Sequence, residues 1–150
     1  MAEYDHAFGS LTYLTGLRSL SVEGMRVDTP SWENFFRLMN VKQSWPHLES
    51  FSLSNYHTPE RVLSPVFGNL QSLKLDMKNE DEVNGAMLNS LTRLTRLVCN
   101  SLPSNTKALQ LPNLQTLVIQ AVHHFEDVLA WVANCTALTG LILHRIEKKM

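Results

Sequence analysis

Two histidines and two carboxylates that could bind a metal ion lie close together in the sequence: His123, His124, Glu126 and Asp127. Imidazole nitrogens and carboxylate oxygens are common ligands of zinc and related metals. Neighbouring residues on a helix point about 100° apart, and a helix is expected to begin in this stretch. Because the four side chains then diverge, the sequence predicts no metal site here and no cofactor.

Catalysis needs a nucleophile, a base and an orienting group in contact, and the short motifs that usually supply them are absent. The sequence contains no G-x-S-x-G elbow, no phosphate-binding glycine loop and no H-E-x-x-H helix. Its two cysteines, Cys99 and Cys135, are too few for a disulfide framework and lack the spacing of a zinc site. We therefore expect free thiols in a reducing compartment and a protein that is not an enzyme.

The charge balance and the apolar runs exclude several kinds of ligand. The 150 residues include 13 Lys and Arg against 14 Asp and Glu, a net charge of -1 that provides no basic field for nucleic acid. The amino terminus lacks the basic and apolar regions of a signal peptide. No apolar run reaches the ~18 residues of a membrane span. We expect a cytoplasmic protein, with the nucleus as the alternative, that binds neither nucleic acid nor membrane.

A pattern of apolar residues at relative positions 1, 4 and 6 recurs six times along the chain. The matches are LRSLSV from Leu17, LESFSL from Leu48, LQSLKL from Leu70, LTRLVC from Leu94, LQTLVI from Leu114 and LTGLIL from Leu138. Their starts are separated by 31, 22, 24, 20 and 24 residues. The regular return of one motif predicts stacked copies of one structural unit.

Positions 4 and 6 of each motif predict a strand. Side chains alternate with a period of two along a strand, so these two positions point to the same side, and position 1 joins them as the chain turns into the strand. A single unit cannot bury this apolar edge, whereas stacked units bury it as one continuous core. Parallel strands, one in each unit, are therefore expected.

The motif and its spacing resemble the leucine-rich-repeat superfamily over about residues 11–146, since four of the five intervals lie within the ~20–29 residues of such repeats. The Asn or Cys that the family usually has at position 9 is replaced by Met25, Tyr56, Lys78, Leu102, Val122 and Ile146. The chain is in this respect similar to irregular intracellular arrays, as in F-box adaptors and nucleotide-binding immune receptors. The resemblance implies a single α/β domain over residues 1–150. This domain would be a curved leucine-rich-repeat solenoid of about six repeats, with parallel strands on the concave face and helices and loops on the convex face.

Segments between the motifs predict helices on the convex side. Apolar residues spaced at i, i+3, i+4 and i+7 predict helices over 32–39 and 125–132. Acidic residues in the first turn indicate a third helix over 81–91. Thr29 and Thr58, each followed by proline, are typical of helix N-caps.

Prolines and tryptophans between the motifs give further expectations. Pro103 and Pro112 bound a short segment in which we expect an irregular loop. Trp32 and Trp45 are expected to be packed. Trp131 lies off the apolar face of its predicted helix, which leaves a surface position with a binding role open as an alternative.

Positions 3, 5 and 7 of the motifs are expected to point away from the core and to form a partner-binding surface. The predicted contact residues are Lys74, Asp76, Arg96, Val98, Asn100, Val118, Gln120, Ile142 and His144. Val98, Val118 and Ile142 at position 5 predict an exposed aliphatic stripe, and such patches often mark partner sites. The alternative is that branched aliphatic residues simply suit strands.

Charges differ between the two ends of this predicted surface. Glu23 and Asp76 lie toward one end, and Arg96 and Arg145 lie toward the other. This polarity would orient a bound partner.

The last motif runs apolar almost to the end of the sequence, without the polar cap that solenoids normally carry. We interpret the chain as a fragment or a divergent piece of a larger receptor or adaptor. An uncovered edge strand is also an association hazard, so edge-to-edge self-association and docking on a partner are the alternatives.

The function expected from the sequence is protein–protein interaction without chemistry. The resemblance favours substrate recognition in an F-box-type ubiquitin-ligase adaptor, an analogy at the level of the fold. The ligand-sensing repeat array of an intracellular immune receptor is one alternative, and the regulatory domain of an enzyme is another. In each case the partner is another protein or a peptide.

Overall fold

The computed structural model describes residues 13–22, 45–56, 68–77 and 85–147. These ranges contain all six motifs and the segments that connect the last three. Several predicted features lie outside them: Glu23, the caps at Thr29 and Thr58, the helix over 32–39 with Trp32, and the acidic start of the helix over 81–91.

Each motif forms a strand that begins at its position 3. The strands are β1 (Ser19–Val22), β2 (Ser50–Tyr56), β3 (Ser72–Met77), β4 (Arg96–Cys99), β5 (Thr116–Ile119) and β6 (Gly140–Leu143). Every neighbouring pair is parallel, and the strand order across the sheet is the order along the chain. The described residues therefore form an α/β structure around an open, six-stranded, all-parallel sheet, which confirms the α/β class and the parallel strands predicted from the sequence.

The register of the sheet aligns the apolar positions of all six motifs. The position-4 residues form one column across the strands: Leu20, Phe51, Leu73, Leu97, Leu117 and Leu141. The position-6 residues form a second: Val22, Leu53, Leu75, Cys99, Ile119 and Leu143. From β2 to β5, every member of both columns is at most 1% exposed. Full burial of such a side chain stabilises the fold by about 1.5–3 kcal/mol, so these columns form much of the core.

A recurrent turn brings position 1 of the motifs into the core. The N–H of Leu48 donates to the carbonyl of Trp45, three residues earlier, at 3.2 Å. The same i to i−3 bond, at 3.0–3.2 Å, recurs at Leu17, Leu94, Leu114 and Leu138. Leu48 is 1% exposed and Trp45 is 3% exposed, which confirms that this tryptophan is packed.

Short helices lie between the later strands. They are α1 (Gly85–Ser90), a 3-10 turn (Thr106–Ala108) and α2 (Phe125–Val132). α2 has the predicted bounds, and α1 lies within the predicted 81–91, of which residues 81–84 are outside the described ranges. The segment bounded by Pro103 and Pro112 contains the 3-10 turn and is otherwise irregular, as expected.

The buried face of α2 differs from the expected one. Val128 and Trp131 are its buried residues, whereas Leu129 is 41% exposed. The Nε1 of Trp131 donates a hydrogen bond of 3.1 Å to the carbonyl of Leu109. A surface role for Trp131 is therefore wrong, because its indole belongs to the core and its polar atom bonds to the backbone that leads into β5.

Candidate functional site

The sheet has a second face, turned away from the two buried columns, which we term the outer face. Strand alternation places motif positions 3, 5 and 7 on this face. Its rows across β3–β6 are Ser72, Arg96, Thr116 and Gly140 at position 3; Lys74, Val98, Val118 and Ile142 at position 5; and Asp76, Asn100, Gln120 and His144 at position 7. The six predicted contact residues that lie within strands, Lys74, Asp76, Arg96, Val98, Val118 and Ile142, therefore share one face of the sheet, whereas Asn100, Gln120 and His144 directly follow the ends of β4, β5 and β6.

Val98, Val118 and Ile142 form the aliphatic row of the outer face. Val98 pairs in register with Val118, and Val118 pairs with Ile142. Val98 is 8% exposed, Val118 is 9% exposed and Ile142 is 51% exposed. The expectation of three exposed side chains is therefore wrong for the two valines. Each valine has a neighbouring strand on both sides, whereas Ile142 lies on β6 at the end of the sheet.

Two cations, Lys74 and Arg96, border the aliphatic row at its β3 end, and we term them the cation pair. Lys74 pairs in register with Val98, and Arg96 precedes Val98 by two residues on the same face. Both residues are exposed. Neither forms a salt bridge with another residue in the part of the chain that the structure describes. The cation pair therefore gives this corner of the face a local positive charge.

The remaining predicted contact residues differ in accessibility. Asp76, two residues after Lys74, is exposed, and so is His144 beyond β6. Gln120 is half-buried, and Asn100 is only 9% exposed. Asn100 therefore offers little surface to a ligand. The predicted separation of acidic residues at one end of the surface from basic residues at the other is incomplete, because the basic Lys74 lies beside the acidic Asp76.

A shallow groove that the sequence interpretation missed runs along the opposite rim, where the chain enters the strands. It encloses about 400 Å³ and is lined by Gln71, Arg93, Thr95, Asn113, Gln115 and Ala137. Its polar side chains connect successive turns: Arg93 donates to Oδ1 of Asn69 at 3.2 Å, and the Nδ2 of Asn113 donates to the carbonyl of Thr92 at 3.0 Å. The signal in the sequence was the pair of polar residues that flanks the position-1 leucines Leu70, Leu94 and Leu114. We interpret these groups as structural.

The histidines and carboxylates near the start of α2 are held apart. His123 Nδ1 lies 2.9 Å from Oε2 of Glu147. His124 has a left-handed backbone, with φ of 52°, immediately before the first helical residue. Among the described residues, no group of three or more His, Cys, Asp or Glu side chains is placed to bind a metal ion.

Both cysteines are free thiols. Burial raises the pKa of Cys99 from 9.0 to about 12, and burial also raises the pKa of Cys135. The thiolate is the nucleophilic form of cysteine, so both groups are poor nucleophiles near neutral pH.

Comparison of the chain with protein-family models, with curated proteins and with solved structures finds no match. Within residues 13–22, 45–56, 68–77 and 85–147, no helix has the length and hydropathy needed to cross a membrane. The outer face, its charges and the sequence motif are therefore the features from which a function is inferred.

Proposed function

We propose that the chain is a leucine-rich-repeat solenoid that binds another protein or a peptide on its outer face and performs no chemistry. The arrangement of the strands supports this proposal. They follow the order of the chain, and each pairs only with its sequence neighbours. Nearest-neighbour stacking of similar units is the defining property of solenoids. Under this proposal the outer face is the concave wall.

The observation that carries the binding function is the aliphatic row with the cation pair at its end. Ile142 is 51% exposed and continues the row of Val98 and Val118, so the β6 end of the row is open to a partner. Exposed apolar surface that polar residues border is typical of protein-binding sites. Partner recognition at such sites commonly depends on a few apolar anchors and on complementary charges around them.

The specific role that we propose is substrate recognition in an F-box-type ubiquitin-ligase adaptor of the cytoplasm, with the nucleus as the alternative. The apolar residues at position 9 support the irregular intracellular class, because Leu102 is 6% exposed and Val122 is 1% exposed where regular repeats place a polar side chain. A ligand-sensing array of an intracellular immune receptor uses the same kind of surface. The regulatory domain of an enzyme is the remaining alternative.

The test is affinity capture from native lysate, read by mass spectrometry, with a variant that removes the aliphatic row. Valine to aspartate would place a charge at positions that are only 8% and 9% exposed and would destabilise the fold. We therefore choose Val98→Thr, Val118→Thr and Ile142→Ser together. Leu129→Ser is the matched control, because Leu129 is an exposed apolar residue on α2.

Proteins recovered by the wild type and by Leu129→Ser, but not by the triple variant, would support binding on the outer face. Scaffold subunits of ubiquitin ligases among them would favour the adaptor role. The same proteins recovered by all three, with matching circular dichroism spectra, would refute the proposed binding surface.

A second copy of the chain is an alternative occupant at β6, as expected for an uncovered edge strand. Gly140 donates its N–H to the carbonyl of Gln115 just before β5, and His144 donates to Ile119 at the end of β5, so the backbone groups of the intervening Leu141 and Leu143 point the other way. Leu141 is also 39% exposed. The capture experiments are therefore run at concentrations at which sedimentation velocity shows a single monomeric species.

A further inference from the structure

The cation pair differs from the arginines on the opposite rim of the sheet. There, Arg18 forms a 2.9 Å ion pair with Glu49, and Arg93 donates to Asn69 at 3.2 Å. Lys74 and Arg96 have no such bond to another described residue. The rim arginines are therefore bonded within the fold, whereas the donors of the cation pair face solvent, where a ligand can reach them.

The register places Lys74 and Arg96 close enough to share one ligand group. They lie on adjacent strands, two positions out of register, because Lys74 pairs with Val98 and Arg96 pairs with Ser72. A strand spacing of ~4.8 Å and a rise of ~3.3 Å per residue put their Cα atoms about 8 Å apart. Both side chains are long and flexible, so an ammonium and a guanidinium can approach one carboxylate from two sides.

Asp76 is the acidic residue of the outer face beside the cation pair. It follows Lys74 by two residues on the same face, and it is exposed. Among the described residues of this corner, one carboxylate against two cations gives a formal charge of +1. A ligand carboxylate is therefore attracted to the corner.

The aliphatic row extends from the cation pair toward the β6 end of the sheet. From Lys74 to Ile142 the row spans three strand spacings, which is about 14 Å. An extended peptide with a rise of ~3.3 Å per residue covers this distance with about four or five residues. A peptide lying across the strands would thus meet the cations first and then the row, in which Ile142 offers most of the accessible apolar surface because Val98 is 8% and Val118 is 9% exposed.

We propose that the ligand of the outer face is an extended peptide segment in which one or two Asp or Glu residues adjoin two or three aliphatic residues. The carboxylate lies between Lys74 and Arg96, and the aliphatic side chains lie along the row that ends at Ile142. This inference rests on the proposed binding function and specifies the chemistry of the partner. The cation pair fixes the position of the peptide's acidic residue at the β3 end of the row.

The test is selection of a displayed library of random dodecapeptides on the full-length chain. The same selection is made on the charge-reversed variant Lys74→Glu/Arg96→Glu. Lys107→Glu is the control, because Lys107 is exposed on the 3-10 turn, outside the outer face. The wild type and the control are expected to enrich peptides with Asp or Glu beside aliphatic residues, and the charge-reversed variant is expected to enrich Lys or Arg there.

The affinity of an enriched acidic peptide should fall at least about tenfold with the charge-reversed variant, because like charges across an interface repel. A peptide with lysine in place of its acids should bind that variant better than the wild type. Binding of the acidic peptide should also weaken between about 0.05 M and about 0.5 M salt.

The outcomes separate this inference from the proposed function. Selected peptides without acidic residues, which still lose binding with Val98→Thr/Val118→Thr/Ile142→Ser, would overturn the acidic specificity and leave the binding face in place. Peptides unaffected by that triple variant, or no enrichment at all, would overturn both.

Discussion

β5 and β6 carry nearly the same motif, LQTLVI and LTGLIL, yet their side chains differ sharply in burial. Leu117 of β5 is fully buried, whereas its register partner Leu141 is 39% exposed. On the outer face, Val118 is 9% exposed and Ile142 is 51% exposed. Each pair of residues occupies the same motif position on the same face of the sheet, so the difference in burial comes from the number of neighbouring strands. Among the described residues, β5 lies between two strands and β6 pairs with one.

The orientation of a side chain and its burial are therefore separate properties, although the motif predicts both. The apolar pattern determines which side chains turn toward the core, and it does so equally in β5 and β6. Burial requires a further strand on each side, because the apolar area removed from water is shared between neighbours. The same leucine should therefore contribute different amounts of stability at the two positions.

The largest expected effect is on Leu117. Truncation to alanine leaves a cavity between β4 and β6, so Leu117→Ala should lower the free energy of unfolding by about 2–5 kcal/mol. Leu141→Ala removes a side chain that is already 39% exposed and should cost well under half as much. Urea denaturation followed by circular dichroism measures both. Equal losses for the two variants would show that Leu141 is covered in solution.

A smaller effect is expected on α2, the helix that connects the two strands. Trp131→Phe leaves the carbonyl of Leu109 without its indole donor and should cost about 1–3 kcal/mol. Leu129→Ala on the same helix is the control, since Leu129 is 41% exposed and a surface change of this kind is usually within about 0.5 kcal/mol. Thermal denaturation compares the two. A cost for Leu129→Ala as large as that for Trp131→Phe would contradict the burial of this helix face.

The smallest effect on stability near neutral pH is expected for substitution of a thiol, which has a distinct effect at alkaline pH. Cys99 occupies the buried position-6 column in β4, and its pKa is raised to about 12 in the folded state from 9.0. Below pH 9 the thiol is neutral in both the folded and unfolded states, so its contribution to stability is fully present. Between pH 9 and 12 the unfolded chain ionises first, and stability is lost as the pH rises through this window.

The decrease in melting temperature from below pH 9 to above pH 9 should therefore be smaller for Cys99→Ala than for the wild type. Reaction with a thiol reagent near neutral pH should modify the half-buried Cys135 before the fully buried Cys99. Simultaneous reaction of both thiols in the folded protein would contradict the difference in burial between Cys99 and Cys135.

Strand positions and register were predictable because apolar residues at positions 4 and 6 determine which face of each strand turns toward the core. A slip by one residue would expose Leu97 and bury Arg96. The bounds of α2 followed in the same way from its apolar spacing. The shared face of the contact residues within the strands is a direct consequence of the strand pattern.

Accessibility was harder to predict from the sequence than orientation. Alternation assigns Val98 and Ile142 to the same face, but it carries no information on how many strands lie beside each. On α2, Leu129 and Trp131 are both apolar, and the position of Leu109 decides which of them is buried. The rim groove depends on contacts between residues about twenty positions apart, such as Asn113 with Thr92, which a local pattern does not reveal.

The chain-order sheet has a consequence for how the segments between strands can vary in length. Each new strand closes one loop onto its predecessor, and the motif starts are 20 to 31 residues apart. Loop-closure entropy grows only with the logarithm of length, so the longest interval costs about 0.4 kcal/mol more than the shortest. The closure entropy therefore sets little limit on the length of these segments, and insertions at exposed positions outside packed elements such as α2 should leave the register of the outer face unchanged.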